Sequence, residues 1–288
     1  MTEQNTRLGI LLMITTTIVF AVQDGISRHL AADYPVPMIV MVRYWFFAIF
    51  VMVVASRQAG GIINAARTQQ PFLQIFRGAL LAAQICIVIV AFDRLGLVET
   101  HAIFVCAPLL VAALSGPILG ESVGWLRWSA IGVGFIGVLI ILRPGYGVFS
   151  PDALIPLTAA LMFATYVLLT RFVSRRDSSA TSFFWTGAAG GVLMTMVGIW
   201  TWTPMSPTAS IWLACLCVTG ALGHYLLIRT YEIAEASAVQ PFTYFQLVFV
   251  AIIGMSVFDE TVEINVAIGA VIVIAAGLFT LWRERRKG

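Results

Sequence analysis

The chain has 288 residues, of which 60% are hydrophobic and only 11% charged. A water-soluble domain carries about 25% charged residues, and a soluble fold this apolar would expose wide sticky patches, so the composition points to lipid as the solvent. The net charge of +3 is too small to suggest nucleic-acid binding.

A membrane span needs about 20 apolar residues. Five such runs lie in the first half of the chain, over 8–30, 36–56, 72–92, 97–119 and 124–142. Five more lie in the second, over 152–173, 181–202, 208–229, 236–258 and 264–282. The expected fold is an all-α membrane protein of ten transmembrane helices with short connections, the longest around 57–70. The first run is too long for a signal peptide, and no small-x-small site follows it. With ten spans both termini share a side. That side holds Arg7, Arg57, Arg67, Arg127, Arg171, Arg175, Arg176, Arg229, Arg283, Arg285, Arg286 and Lys287, twelve of the seventeen basic residues. Arg28, Arg94 and Arg143 fall opposite, so the positive-inside rule places both termini in the cytoplasm, with the spans in the inner membrane. The arginines at 171–176 and 283–287 also fit contact with anionic lipid. Cys86, Cys106, Cys215 and Cys217 all lie in apolar runs and are expected to be buried thiols rather than disulfides or metal ligands.

The halves repeat. Phe20-Ala21 through Ser27-Arg28 matches Phe163-Ala164 through Thr170-Arg171 at an offset of 143, and Gly120-Glu121-Ser122 matches Asp259-Glu260-Thr261 at 139. Five spans per half is an odd number, so the second copy enters the membrane inverted. Inverted repeats over 1–148 and 149–288 imply an alternating-access carrier with its substrate near the midplane between the halves.

The polar residues inside the spans carry the site hypothesis. Arg43 lies roughly 10 Å below the boundary at 1.5 Å per residue, at a depth comparable to Asp24. Two readings stand: a structural Asp24–Arg43 pair, or an Arg43 that anchors an anionic or carbonyl group of substrate. Asp24 also has Arg28 one turn on. Near the midplane lie Gln84, Tyr166, His224, Tyr225 and Gln246, each either an interhelical hydrogen bond or part of a cavity lining. His101 and Gln240 sit at matched span ends, as gating positions or exposed residues. Glu121 and Glu260 are expected to cap the helices that follow them. Gly132-Val133-Gly134-Phe135-Ile136-Gly137 matches G-x-G-x-x-G, but inside an apolar span it reads as helix packing, like Gly116/Gly120 and Gly187/Gly191. There is no HExxH, Walker A or GxSxG motif, so no enzyme, cofactor or metal is expected.

These residues also carry a family resemblance. The Gly120-Glu121 and Asp259-Glu260 pairs ending spans four and nine, Arg43 in span two and Pro108 in span four resemble the drug/metabolite transporter superfamily, in its ten-helix EamA-type branch. The resemblance covers nearly the whole chain. It implies a central cavity lined mainly by the first, third, fourth, sixth, eighth and ninth spans. Asp259 stands where Gly is common, and Pro241 comes earlier in its span than Pro108 does. The strings Gln23-Asp24-Gly25-Ile26-Ser27-Arg28-His29 and Arg43-Tyr44-Trp45-Phe46-Phe47 are similar to those of bacterial riboflavin importers.

The aromatics Tyr44, Trp45, Phe104, Tyr166, Tyr225, Tyr244 and Phe245 offer stacking surfaces, and Gln84 and Gln246 can each donate and accept. That chemistry suits a flat neutral heterocycle such as a flavin. An amino-acid or metabolite exporter is the second reading, and a structural or signalling membrane protein the third. Its partners are the small-molecule substrate and the lipid bilayer.

Overall fold

The computed structural model describes residues 6–57, 60–120, 124–142, 151–234 and 239–285, and every regular element among them is helical. The first half supplies α1 (Thr6–Ala31), α2 (Val36–Ser56), α3 (Gly61–Ala66), α4 (Pro71–Leu95), α5 (Leu97–Phe104), α6 (Ala107–Leu119) and α7 (Trp125–Leu142). The second supplies α8 (Leu154–Val173), α9 (Ser179–Gly198), α10 (Pro207–Ile233), α11 (Phe245–Val257) and α12 (Ile264–Arg285). Serine caps and prolines set the starts. Ser178 accepts from the Thr181 amide at 3.1 Å to open α9, and Ser206 accepts from the Ala209 amide at 3.2 Å to open α10, with Pro207 following it. Neither proline nor cap leaves a first-turn N–H wasted.

The fourth apolar run, expected as one helix, is broken between α5 and α6. Pro108 has no N–H to return to the Phe104 carbonyl, which weakens the helix at this point and favours the break, although α6 itself continues through Pro117. The ninth run likewise starts with a 3-10 turn, Gln240–Tyr244, that contains Pro241. Among the described residues, seven helical stretches are long and apolar enough to cross a membrane, with Leu97–Leu119 counted across its break. Three shorter apolar helices, Trp128–Leu142, Phe242–Val257 and Ile264–Phe279, fall in the fifth, ninth and tenth runs.

α1 packs on α10 and α11, α4 on α8 and α9, α2 on α9, α6 on α8, and α7 on α12. The last pair touches backbone to backbone: a Cβ on Gly137 would meet the Gly269 carbonyl at 2.8 Å. Gly134 likewise faces Leu109 and Ala276, so two glycines of the 132–137 motif serve close packing. Leu11, Ile49, Ile136, Val192 and Val271 are each more than half exposed, an apolar surface that lipid covers. Trp125 and Trp200 project at helix ends, where amphipathic rings meet headgroups. Of the four thiols expected to be buried, Cys106 and Cys217 are, Cys86 is half-buried, and Cys215 is exposed, because two residues of helix turn it away from Cys217.

Candidate functional site

The middle turns of α2, α4 and α10 surround a cavity. Its walls include Arg43, Tyr44 and Phe47 from α2, Leu81 and Ile85 from α4, and Cys217, Gly220 and His224 from α10. The free volume is about 20 Å³, enough for a water and far too small for a metabolite. His224 Nδ1 lies 2.9 Å from the Gly220 carbonyl. A carbonyl only accepts, so that nitrogen carries a proton. The imidazole is held between Phe20 and Phe47, at ring-centre distances of 5.5 and 5.6 Å. Arg43 reaches toward Gly220 and makes no hydrogen bond or ion pair among the described residues.

Toward the α4–α5 and α11–α12 turns, a polar network joins the two halves. Asp24 Oδ2 lies 3.1 Å from His101 Nε2 and accepts from Gln246 Nε2 at 3.0 Å. His101 is buried, stacks on Phe92 with ring centres 5.2 Å apart, and turns Nδ1 to the Leu97 carbonyl at 3.1 Å. The expected Asp24–Arg43 ion pair is therefore not formed. His101 and Gln246 take the carboxylate from α5 and α11, while Arg43 projects from α2 toward α10. Nor does Arg28 pair with Asp24; it forms an ion pair with Glu260. Glu260 was expected to cap the helix after it. Instead its two carboxylate oxygens accept from the Leu97 and Val98 amides, each at 2.8 Å, capping α5 in the other half. Gly96 makes room for this: φ is +85°, and a Cβ there would stand 2.7 Å from Glu260 Oε1. Glu121 lies outside the described residues, as does the side chain of Gln240.

Toward the α8–α9 turn, a second network crosses between the halves. Arg77, almost wholly buried on α4, donates to Gln74 Oε1 at 2.9 Å, to Tyr166 Oη at 3.3 Å, to Thr170 Oγ1 at 3.1 Å and to the Ser182 carbonyl. Gln74 passes the link on to Asp177 at 2.9 Å. Asp177 also accepts from the Thr68 hydroxyl and, at 2.9 Å, from the Gln69 amide. Tyr166 thus belongs to this brace and not to the cavity. Burial works against the Asp177 charge, but the hydrogen bonds from Thr68, Gln69 and Gln74 and the attraction of Arg77 outweigh it and hold the carboxyl below its ordinary range. A lowered folded-state value means that the stabilisation is fully present above the unfolded value, 3.8, and is lost as pH falls through the lowered one. Asp177→Asn should therefore melt below the parent at neutral pH, and the gap should narrow progressively as pH falls below 3.8. Thermal unfolding in detergent across that range measures it, and a gap independent of pH would remove the carboxylate's charge from the account.

Residues 7–143 and 151–282 match the EamA-like transporter family. The chain belongs to that family. It is similar to the S-adenosylmethionine uptake transporter of Rickettsia prowazekii, 26% identical over 281 residues, covering 96% of this chain and 94% of the relative. It is 27% identical over 284 residues to the riboflavin transporter of Vibrio cholerae, with the same coverage of 96% and 94%. One solved crystal structure covers 98% of this chain with a TM-score of 0.61 at 16% identity, a likeness of fold. This EamA-like protein is thus a multi-pass membrane transporter and not an enzyme.

Of the residues expected around one central space, the EamA-like fold brings Arg43, Tyr44 and His224 to the cavity. Gln246 is taken by Asp24, Phe104 packs on Phe163 at 5.5 Å, and Tyr225 is half exposed on the outside of α10. Trp45 donates to Thr195 Oγ1 at 2.7 Å in a groove between α2 and α9. Gln84 is buried on α4 beside the lining residues Leu81 and Ile85, without a hydrogen bond among the described residues. The lining comes from α2, α4 and α10, so span two contributes where the family resemblance did not place it. Arg77 has a signal in the sequence that was missed: an arginine inside an apolar run marks a buried set of partners.

Proposed function

We propose that this transporter takes up riboflavin by alternating access, with ten apolar segments crossing the inner membrane as two inverted five-helix repeats, 1–148 and 149–288, and both termini cytoplasmic. The packing supports the repeat. Exchanging the halves turns the α1–α10 pairing into α8–α4 and the α6–α8 pairing into α11–α1, while α2–α9 and α7–α12 map onto themselves. On this orientation the Asp24–Glu260 network closes the periplasmic end and the Arg77–Asp177 network the cytoplasmic end. A substrate site between two such barriers opens to one side when one of them breaks.

The observation that carries the substrate is the chemistry of the cavity wall. It presents the guanidinium of Arg43, the rings of Tyr44, Phe47 and His224, and no acid among its described residues. Riboflavin is neutral and flat, and its ring carbonyls accept from a guanidinium while aromatic faces stack on it. S-adenosylmethionine, which one relative is named for, carries a net positive charge that this wall repels. A zwitterionic amino acid needs an acid beside the base.

In a riboflavin-auxotrophic bacterium without an importer of its own, the chain should restore growth on low external riboflavin. A C-terminal reporter that matures only in the cytoplasm should be bright in the same cells. The purified protein should quench flavin fluorescence, and excess S-adenosylmethionine or amino acid should not reverse it. Uptake of S-adenosylmethionine without riboflavin binding would overturn the substrate reading.

A further inference from the structure

Gln23, on α1, is 6% exposed, and its Oε1 is buried without a hydrogen-bond partner. A lone buried acceptor is costly and is kept where something else satisfies it. Its surroundings indicate what. Gly220 has no side chain, and the point where its Cβ would stand is 3.2 Å from Gln23 Oε1, 3.3 Å from Arg43 Nε and 3.7 Å from Arg43 Nη2. Gly220 and Arg43 both line the cavity. An acceptor without a partner and the Arg43 guanidinium therefore lie beside one another on the same side of Gly220, at the cavity wall.

We propose that Gln23, Arg43 and Gly220 form a notch that reads the imide edge of a flavin ring. That edge runs carbonyl, N–H, carbonyl. Arg43 donates to a carbonyl, Gln23 Oε1 accepts from the imide N–H, and the missing Cβ at Gly220 lets the edge approach both. Neither an adenine ring nor an amino acid offers a carbonyl, N–H, carbonyl edge. The notch rests on the riboflavin reading and adds to it which edge of the ring is held and by what.

The test compares riboflavin with N3-methylriboflavin, which differs only at the imide nitrogen, by fluorescence quenching on the purified protein. The parent should bind the methylated ligand about tenfold more weakly, the usual order of effect for one hydrogen bond to a buried group. Gln23→Met should weaken riboflavin by about the same factor and erase the preference. Gly220→Ala should weaken riboflavin through the loss of space. Equal binding of the two ligands by the parent overturns the notch while leaving riboflavin as substrate. If riboflavin does not bind at all, the substrate reading fails and the notch with it. Should Gln23→Met not fold, the ligand comparison on the parent alone decides.

Discussion

Replacing Glu260 with alanine should loosen the end of the bundle that carries the α4–α5 turn and lower the melting temperature by on the order of 10 °C. The carboxylate serves three partners from the other half: the Leu97 and Val98 amides at 2.8 Å each and the Arg28 guanidinium. Truncation leaves two helix N-terminal donors and a largely buried cation together. The pair is part-buried, with Arg28 21% exposed, so breaking it together with the two amide bonds costs on the order of 3 kcal/mol rather than the sum of the separate contacts. Gln at this position keeps one acceptor oxygen but turns an NH₂ toward a donor, so it should fall between alanine and the parent. Arg28→Met should destabilise by itself, yet cost less in the Glu260→Ala background than in the parent, because the charge it removes is already unpaired there. Thermal unfolding of the four proteins in detergent measures this cycle. Strict additivity would show that Arg28 and Glu260 do not act as a pair.

How much of this was legible beforehand depends on whether a feature is local. The ten apolar runs are local features, and helices lie along each of them; the caps at Ser178 and Ser206 and the break before Pro108 are equally local but were not anticipated. The packing role of Gly134 and Gly137 was readable because their motif lies inside an apolar run, where a dinucleotide site has no place. The partners of the charges were not. Asp24, Arg28 and Arg43 each had a plausible partner nearby in sequence, and Asp24 and Arg28 chose others that the fold brings from α5, α11 and the α11–α12 turn. Glu260 caps a helix 163 positions away from it in the chain, as measured to Leu97. The turn that aims it depends on Asp259 at φ 53°, a position at which the sequence reading noted only that Asp stands where Gly is common. The midplane set failed for a related reason. Facing was not legible: Tyr225 and His224 are adjacent, so a helix points them about 100° apart, and of the two only His224 reaches the cavity.

Arg43→Met should weaken riboflavin binding by about 100-fold without lowering stability. The first half of that expectation comes from the ligand. A ring carbonyl held by a guanidinium loses a charge-assisted hydrogen bond and stays buried without a replacement, a cost of about 2–3 kcal/mol. The second half comes from the surroundings of Arg43. Arg43 makes no ion pair or hydrogen bond among the described residues, and Asp24, whose charge attracts it, keeps its own partners His101 and Gln246 when Arg43 is removed. A cation inside a bundle also carries a desolvation penalty that the isosteric Met does not. The melting temperature should therefore stay level or rise, against the fall expected for Glu260→Ala. Arg43→Lys keeps the charge but not the planar fork of donors, and should recover only part of the binding. Flavin quenching and thermal unfolding on the same samples separate the two roles. A variant that melts lower yet binds riboflavin normally would make Arg43 a structural residue after all, with a partner that forms only in another state of the transport cycle.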